Sequence, residues 1–165
     1  MLSEKDSEEL IFNFRKSLNK HISSKKNPDA RNACIMNITR NDGKELLFFA
    51  YSSAAGLSQK ELSAIAADGF ELVPDVSLEH LRSLYACRGM GQWHTEPRLI
   101  NFMNCSPGYI ENVANVLIIS EIDCCATCLK YTIEVFRAAN GAIDVYTDEY
   151  GKVPSRGISP NFKFH

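Results

Sequence analysis

Apolar residues recur along the chain with two different periods, and the change of period marks the elements. Leu10, Ile11, Phe14, Leu18 and Ile22 stand three or four apart, one stripe of a helix that begins at Ser7 and is closed by Asn27-Pro28-Asp29. The opposite side carries Arg15, Lys16, Lys20 and His21, with Lys25 and Lys26 beyond. Such a face reads first as solvated and second as a nucleic-acid contact. Residues 33–38 and 45–51 are short, rich in β-branched and aromatic residues, and separated by Asn41-Asp42-Gly43-Lys44, a hairpin turn that joins two antiparallel strands. The small-residue loop Ser52-Ser53-Ala54-Ala55-Gly56 follows, most simply a connection and otherwise a place where a ligand meets backbone.

Helical spacing returns at 59–67 and 77–86, where Leu78, Leu81, Leu84 and Tyr85 would face the core and His80 the surface. Arg88-Gly89-Met90-Gly91-Gln92 leads into Trp93. Pro97 suits a helix first turn, and that helix runs to Met103 with Leu99, Ile100 and Phe102 or Met103 inward, before a return turn at Pro107-Gly108. Residues 113–119 form an unbroken apolar run of strand length, the pattern of a central strand covered on both faces. A helix from Cys125 would carry Leu129, Ile133, Val135 and Phe136 inward and stop at Asn140-Gly141. Residues 142–147 read as a strand parallel to 113–119, 148–152 as a turn, and Val153 or 162–164 as an antiparallel edge strand.

A chain of 165 residues, 45% hydrophobic and 23% charged, matches one globular α/β domain over 1–165. Its parts are an N-terminal helix within 1–30, an insertion at 57–91 and a C-terminal turn and edge strand at 148–165. The net charge of -2 argues against a broadly basic surface that clamps duplex, while leaving room for a groove holding a few nucleotides. Six cysteines grouped around one motif do not form a secreted disulfide framework and point to a reducing, cytoplasmic setting. Residues 1–6 contain no apolar signal core, and no run approaches membrane-spanning length; an exported protein of this kind would carry its delivery signal elsewhere.

The chemistry concentrates in Trp93-His94-Thr95-Glu96-Pro97 and Cys125-Ala126-Thr127-Cys128. Two cysteines three apart in a helix first turn share a side, and the helix N-terminus favours their thiolates. His94 completes a set of three ligands, the number a catalytic zinc keeps so that water takes the fourth place. Glu96 is then close enough to move that water's proton.

The order His-x-Glu, strand, Cys-x-x-Cys resembles the zinc-dependent cytidine deaminase-like superfamily, and the wording of 94–100 is most similar to deaminase domains of bacterial polymorphic toxins. The family usually has Pro ahead of the first Cys ligand. Here Cys124 stands there, and Cys125 is assigned because only it lies three residues from Cys128. The resemblance covers roughly 33–147. It implies a three-layer fold whose mixed sheet of about five strands has helices on both faces. It also implies Zn2+ held by His94, Cys125 and Cys128, Glu96 as proton shuttle, cytosine as the base, and an immunity protein as partner. It favours single-stranded DNA, the modest charge arguing for an unpaired base over duplex; RNA, free cytidine or an adenine substrate is the alternative within the family. Substrate contacts are expected from Tyr51, Ser52, Ser53, Trp93 and Arg98, with stacking by Tyr51 and Trp93 and phosphate contact by Arg98 or the first-helix lysines.

Two other classes compete. A strand followed by Cys-x-x-Cys at a helix start is also a thioredoxin-like redox layout, which has no use for His94 and Glu96. A structural zinc module with Cys87, Cys105 or Cys124 as fourth ligand leaves Glu96 without a role.

Overall fold

The computed structural model describes residues 1–74, 94–105, 111–121, 133–150 and 163–164. Helix α1 (Glu4–His21) starts before Ser7 because Ser3 caps it, its hydroxyl accepting the Asp6 N–H at 3.1 Å while Glu4 and Asp6 complement the helix dipole. It also stops before Asn27-Pro28-Asp29. That tripeptide instead belongs to two 3-10 turns, Ser24–Lys26 and Pro28–Ala30, joined by Asn27 in the left-handed region at φ +47°.

Strands β1 (Ala33–Arg40) and β2 (Glu45–Tyr51) pair antiparallel as the hairpin signal predicts. Gly43 supplies the φ of +82° that the turn requires, and its N–H donates to the Arg40 carbonyl at 2.9 Å. Helix α2 (Gln59–Ala67) carries a capping box: Ser58 Oγ accepts the Glu61 N–H, and Glu61 in return accepts the Ser58 N–H. Helix α3 (Thr95–Cys105), strand β3 (Val113–Ser120), helix α4 (Glu134–Ala139) and strand β4 (Asp144–Glu149) follow. The predicted helix at 77–86 and the turn at 107–108 lie outside the described residues.

The mixed sheet has four full strands in the order β2-β1-β3-β4, with β1 antiparallel to both neighbours and β3 parallel to β4. At its edge Lys163–Phe164 pairs antiparallel with Thr147 and Asp148 over two residues. Strand β4 starts later than 142, because the chain spends 140–143 turning, the Ile143 N–H donating to the Asn140 carbonyl at 2.8 Å. Asp148 and Glu149, expected in a turn, therefore pair with Ile119 and Ser120.

Alternation along the strands sends side chains to two separate cores. Ile35, Phe49, Tyr51, Leu117 and Ile119 meet Ile11, Phe14 and Leu18 of α1 and Ile65 of α2. Cys34, Met36, Ile38, Val116, Ile118 and Val145 meet Leu99, Ile100 and Met103 of α3, with Ile133 and Phe136. Val135, expected inward, is 46% exposed. On a helix it stands about 200° from Ile133 and 100° from Phe136, so it cannot share their buried side. Among the described residues no helix is long and apolar enough to cross a membrane.

Candidate functional site

Because β1 runs antiparallel to β3, the start of one lies beside the end of the other, Cys34 opposite Ser120. That edge is also the carboxyl end of the parallel β3–β4 pair, where α/β sheets habitually bind ligands. Asn32, the residue before β1, sits at its centre. Its side-chain amide donates to Thr95 Oγ1 at 2.8 Å and to Ser120 Oγ at 3.0 Å. Its backbone N–H donates to Ser52 Oγ at 3.0 Å, and its carbonyl accepts the Ser52 N–H at 3.1 Å. The ends of β2 and β3 and the start of α3 are thereby tied to one residue.

At the start of α3, Thr95 Oγ1 donates to Glu96 Oε2 at 3.0 Å. Glu96 is 3% exposed, and burial holds its carboxyl above the usual carboxylate range, opposed by its own backbone N–H, the Thr95 hydroxyl and neighbouring His94. Thr95, Glu96, Arg98 and Asn101 are all buried on this one helix. Placing so many polar groups out of water contributes little to stability, and a buried ionisable carboxyl in such a setting is a mark of chemistry.

A second polar cluster closes the edge from the other face. Arg15 grips Glu121 with two parallel hydrogen bonds, Nε to Oε1 at 2.7 Å and Nη2 to Oε2 at 2.6 Å, the bidentate geometry that favours arginine. Its remaining donors reach the carbonyls of Pro28 and Arg31 at 2.9 and 2.7 Å, while Glu121 also accepts the Ala33 N–H. Arg15 is thus a clamp between α1 and the end of β3 and no part of a solvated face. His21 pairs with Asp68 at 2.8 Å and Lys26 with Glu61 at 2.6 Å. Lys16 lies over the Phe12 ring, 5.8 Å from its centre. Arg15, His21 and Lys26 are thus engaged within the protein, while Lys16 and Lys20 of α1 are exposed.

Of the residues predicted from sequence, His94 and Glu96 come together at the start of α3 and next to Ser52, Asn32 and Ser120 through Thr95. Cys125, Cys128 and Trp93, like Cys87 and Cys124, lie outside the described residues. Among the described residues no three His, Cys, Asp or Glu side chains gather into a metal-binding group. One imidazole and two thiolates are donors that suit a borderline-soft ion such as zinc; of such a set the described residues contain His94, with the buried Glu96 two residues on. Burial raises the Cys105 thiol above its usual range.

Tyr51 requires a correction. It is 1% exposed and packs in the core beneath α1, so its ring has no face to offer a base; burial pushes its phenol up, with Arg15 and Arg31 pulling it down. Arg98 is 6% exposed and offers little surface to a phosphate backbone. Ser52 and Ser53 are half-buried at the edge, Ser52 already held by Asn32. Sequence reasoning missed Asn32, Ser120, Arg15 and Glu121. The available signal was polar residues, Ser120-Glu121, directly at the end of an apolar strand. Comparison of the chain with models of known families, with curated proteins and with solved structures found no match in any of the three.

Proposed function

We propose that this chain is a zinc-dependent hydrolytic deaminase that converts cytosine to uracil. The observation that carries the reading is Glu96: a carboxyl buried at a helix start, two residues after His94, beside the carboxyl end of parallel strands and held by a hydroxyl. Neither a dithiol redox protein nor a structural zinc module has a use for it. The finer fold belongs to the same proposal: a three-layer cytidine deaminase-like architecture with a fifth, antiparallel strand.

His94, Cys125 and Cys128 would hold the ion, which when bound supplies a water acidic enough to attack at neutral pH. Glu96 would take up a proton and deliver it to the departing amino group, so that cytosine and water become uracil and ammonia. Its raised proton affinity suits a group that must both take and return a proton. The half-buried Ser52 and Ser53, with Trp93, would line the approach for the base.

The substrate class follows from charge. A domain of net charge -2 gains little from duplex phosphates, so an already unpaired cytosine in single-stranded DNA costs less to reach. As a toxin domain it would act in the cytoplasm of a target cell and be held in check by an immunity protein.

Purified protein incubated with single-stranded DNA, RNA and free nucleosides should yield uracil from the DNA and contain one zinc per chain. Uracil arising equally from free cytidine reassigns it to nucleosides, and inosine reassigns the base. Zinc-free protein, or zinc-loaded protein that makes neither product, overturns the enzyme reading.

A further inference from the structure

We propose that Asn32 is a positioning residue that fixes the direction of the Thr95 hydroxyl and, through it, the orientation of the Glu96 carboxylate. The proposal rests on the deaminase reading for its kinetic consequence and on geometry for its substance. Thr95 Oγ1 has one proton to give, and it touches two groups: the Asn32 amide at 2.8 Å and Glu96 Oε2 at 3.0 Å. The Asn32 NH2 only donates, so the hydroxyl receives from it and keeps its own proton for Glu96 Oε2.

Asn32 is itself anchored. Its NH2 also reaches Ser120 Oγ at 3.0 Å, the same hydroxyl donates to Asn32 Oδ1 at 3.4 Å, and the backbone of Asn32 is held on both sides by Ser52. An anchored amide thus polarises a hydroxyl that faces a buried carboxylate, a one-way chain of hydrogen bonds from the sheet edge to the reacting group. Thr95 lies between His94 and Glu96 in sequence, so the same residue that separates ligand from base in the chain orients the base in space.

The direction of the chain is testable because Asn and Asp have nearly the same shape. Asn32→Asp replaces the donor by an acceptor, so the Thr95 hydroxyl turns to the new carboxylate and releases Glu96; Ser120 can still donate to either oxygen, and the Ser52 contacts are made by the backbone of residue 32. The expected result is a fall in kcat on the order of a hundredfold, the scale of a misplaced catalytic group, with KM and zinc content close to wild type. Thr95→Val should match it, and Thr95→Ser should restore most of the rate. In the double variant the introduced carboxylate has no hydroxyl to misdirect, so Asn32→Asp should add nothing to Thr95→Val; additive losses would show a simple charge effect and overturn the relay.

A readout independent of turnover is the Thr95 hydroxyl proton in NMR spectra. It should shift on Glu96→Gln in the wild-type background and be insensitive to that change in Asn32→Asp. A hydroxyl proton that ignores Glu96→Gln in wild type overturns the relay whatever the reaction is. Wild-type turnover with fully active Asn32→Asp and Thr95→Val overturns the relay alone, whereas inactive, zinc-loaded wild type with the expected NMR pattern overturns only the deaminase reading.

Discussion

Beneath α1 the sheet meets Phe14, Phe49 and Phe70, whose rings stand 5.2–5.3 Å apart; beneath the start of α3 it meets Thr95, Glu96 and Asn32. Helix α1 is amphipathic, hiding Ile11, Phe14 and Leu18 and exposing most of its charges, whereas α3 hides Arg98 and Asn101 as well as Leu99 and Ile100. The first arrangement is what burial of apolar area produces unaided. The second spends stability on buried polar groups, and such groups persist where a reaction requires them. The contrast separates a face built of apolar contacts from one that adds buried polar groups to an apolar core.

The contrast breaks most severely at its apolar end. Phe14→Ala should destabilise the protein by about 3–5 kcal/mol, the usual loss for a buried phenylalanine, read as a lower denaturant midpoint. Arg15→Ala should approach the same size, because it strands Glu121 as a buried charge at about 3–5 kcal/mol. The paired replacement Arg15→Met with Glu121→Leu, measured in the same unfolding titration, should recover most of that loss. If the single and paired variants unfold alike, the clamp is not a buried ion pair in energetic terms.

Glu96→Gln should do the reverse. It leaves the thermal midpoint unchanged or raised, since a neutral amide is cheaper to bury than a carboxyl, while deamination falls by roughly a hundredfold or more. A marked drop in the midpoint would place Glu96 with the structural half. The smallest effect belongs to the Lys26–Glu61 tie. Lys26 and the capping contact with Ser58 pull the Glu61 carboxyl down to about 2 from an ordinary 4.5. A lowered folded value means that the contribution is full above 4.5 and disappears as pH falls towards 2. Lys26→Met should therefore narrow the stability difference between about pH 6 and about pH 3 in chemical unfolding, a modest change on an exposed pair.

What the sequence reveals follows how far apart the interacting residues are. The α1 stripe and the Asn41–Lys44 hairpin are written in neighbours and both are found, α1 starting three residues ahead of Ser7; the Ser58–Glu61 capping box is as local and went unread. Ser3 could have been read as a cap by the same rule. Arg15 could not be read as a clamp: its partner stands 106 positions away, and nothing local distinguishes it from Lys16. The His94-Thr95-Glu96 order was legible because it is local, the structure setting Glu96 in the first turn of α3 and His94 just before it. Asn32 was not, since its meaning depends on β1 being seated against β3. Tyr51 was misread because strand parity sends it to the α1 side, and parity shows only once the neighbours of Phe49 and Tyr51 are known.

The seating of β1 between β2 and β3 also sets a timetable for the chain. The β1–β2 hairpin and α1 involve near neighbours in sequence, and structures of that kind form within microseconds. Joining β1 to β3 instead closes a loop of which the Asn32–Ser120 contact, 88 positions apart, is a measure. The entropy of such a closure grows slowly, by about 0.6 kcal/mol for each doubling of length, so the final structure bears it easily. The rate of reaching that structure is governed by it far more strongly. A nascent chain can therefore build much of the α1-covered half early, while the edge that gathers Asn32, Ser120 and Glu121 waits for the last third of the sequence to arrive.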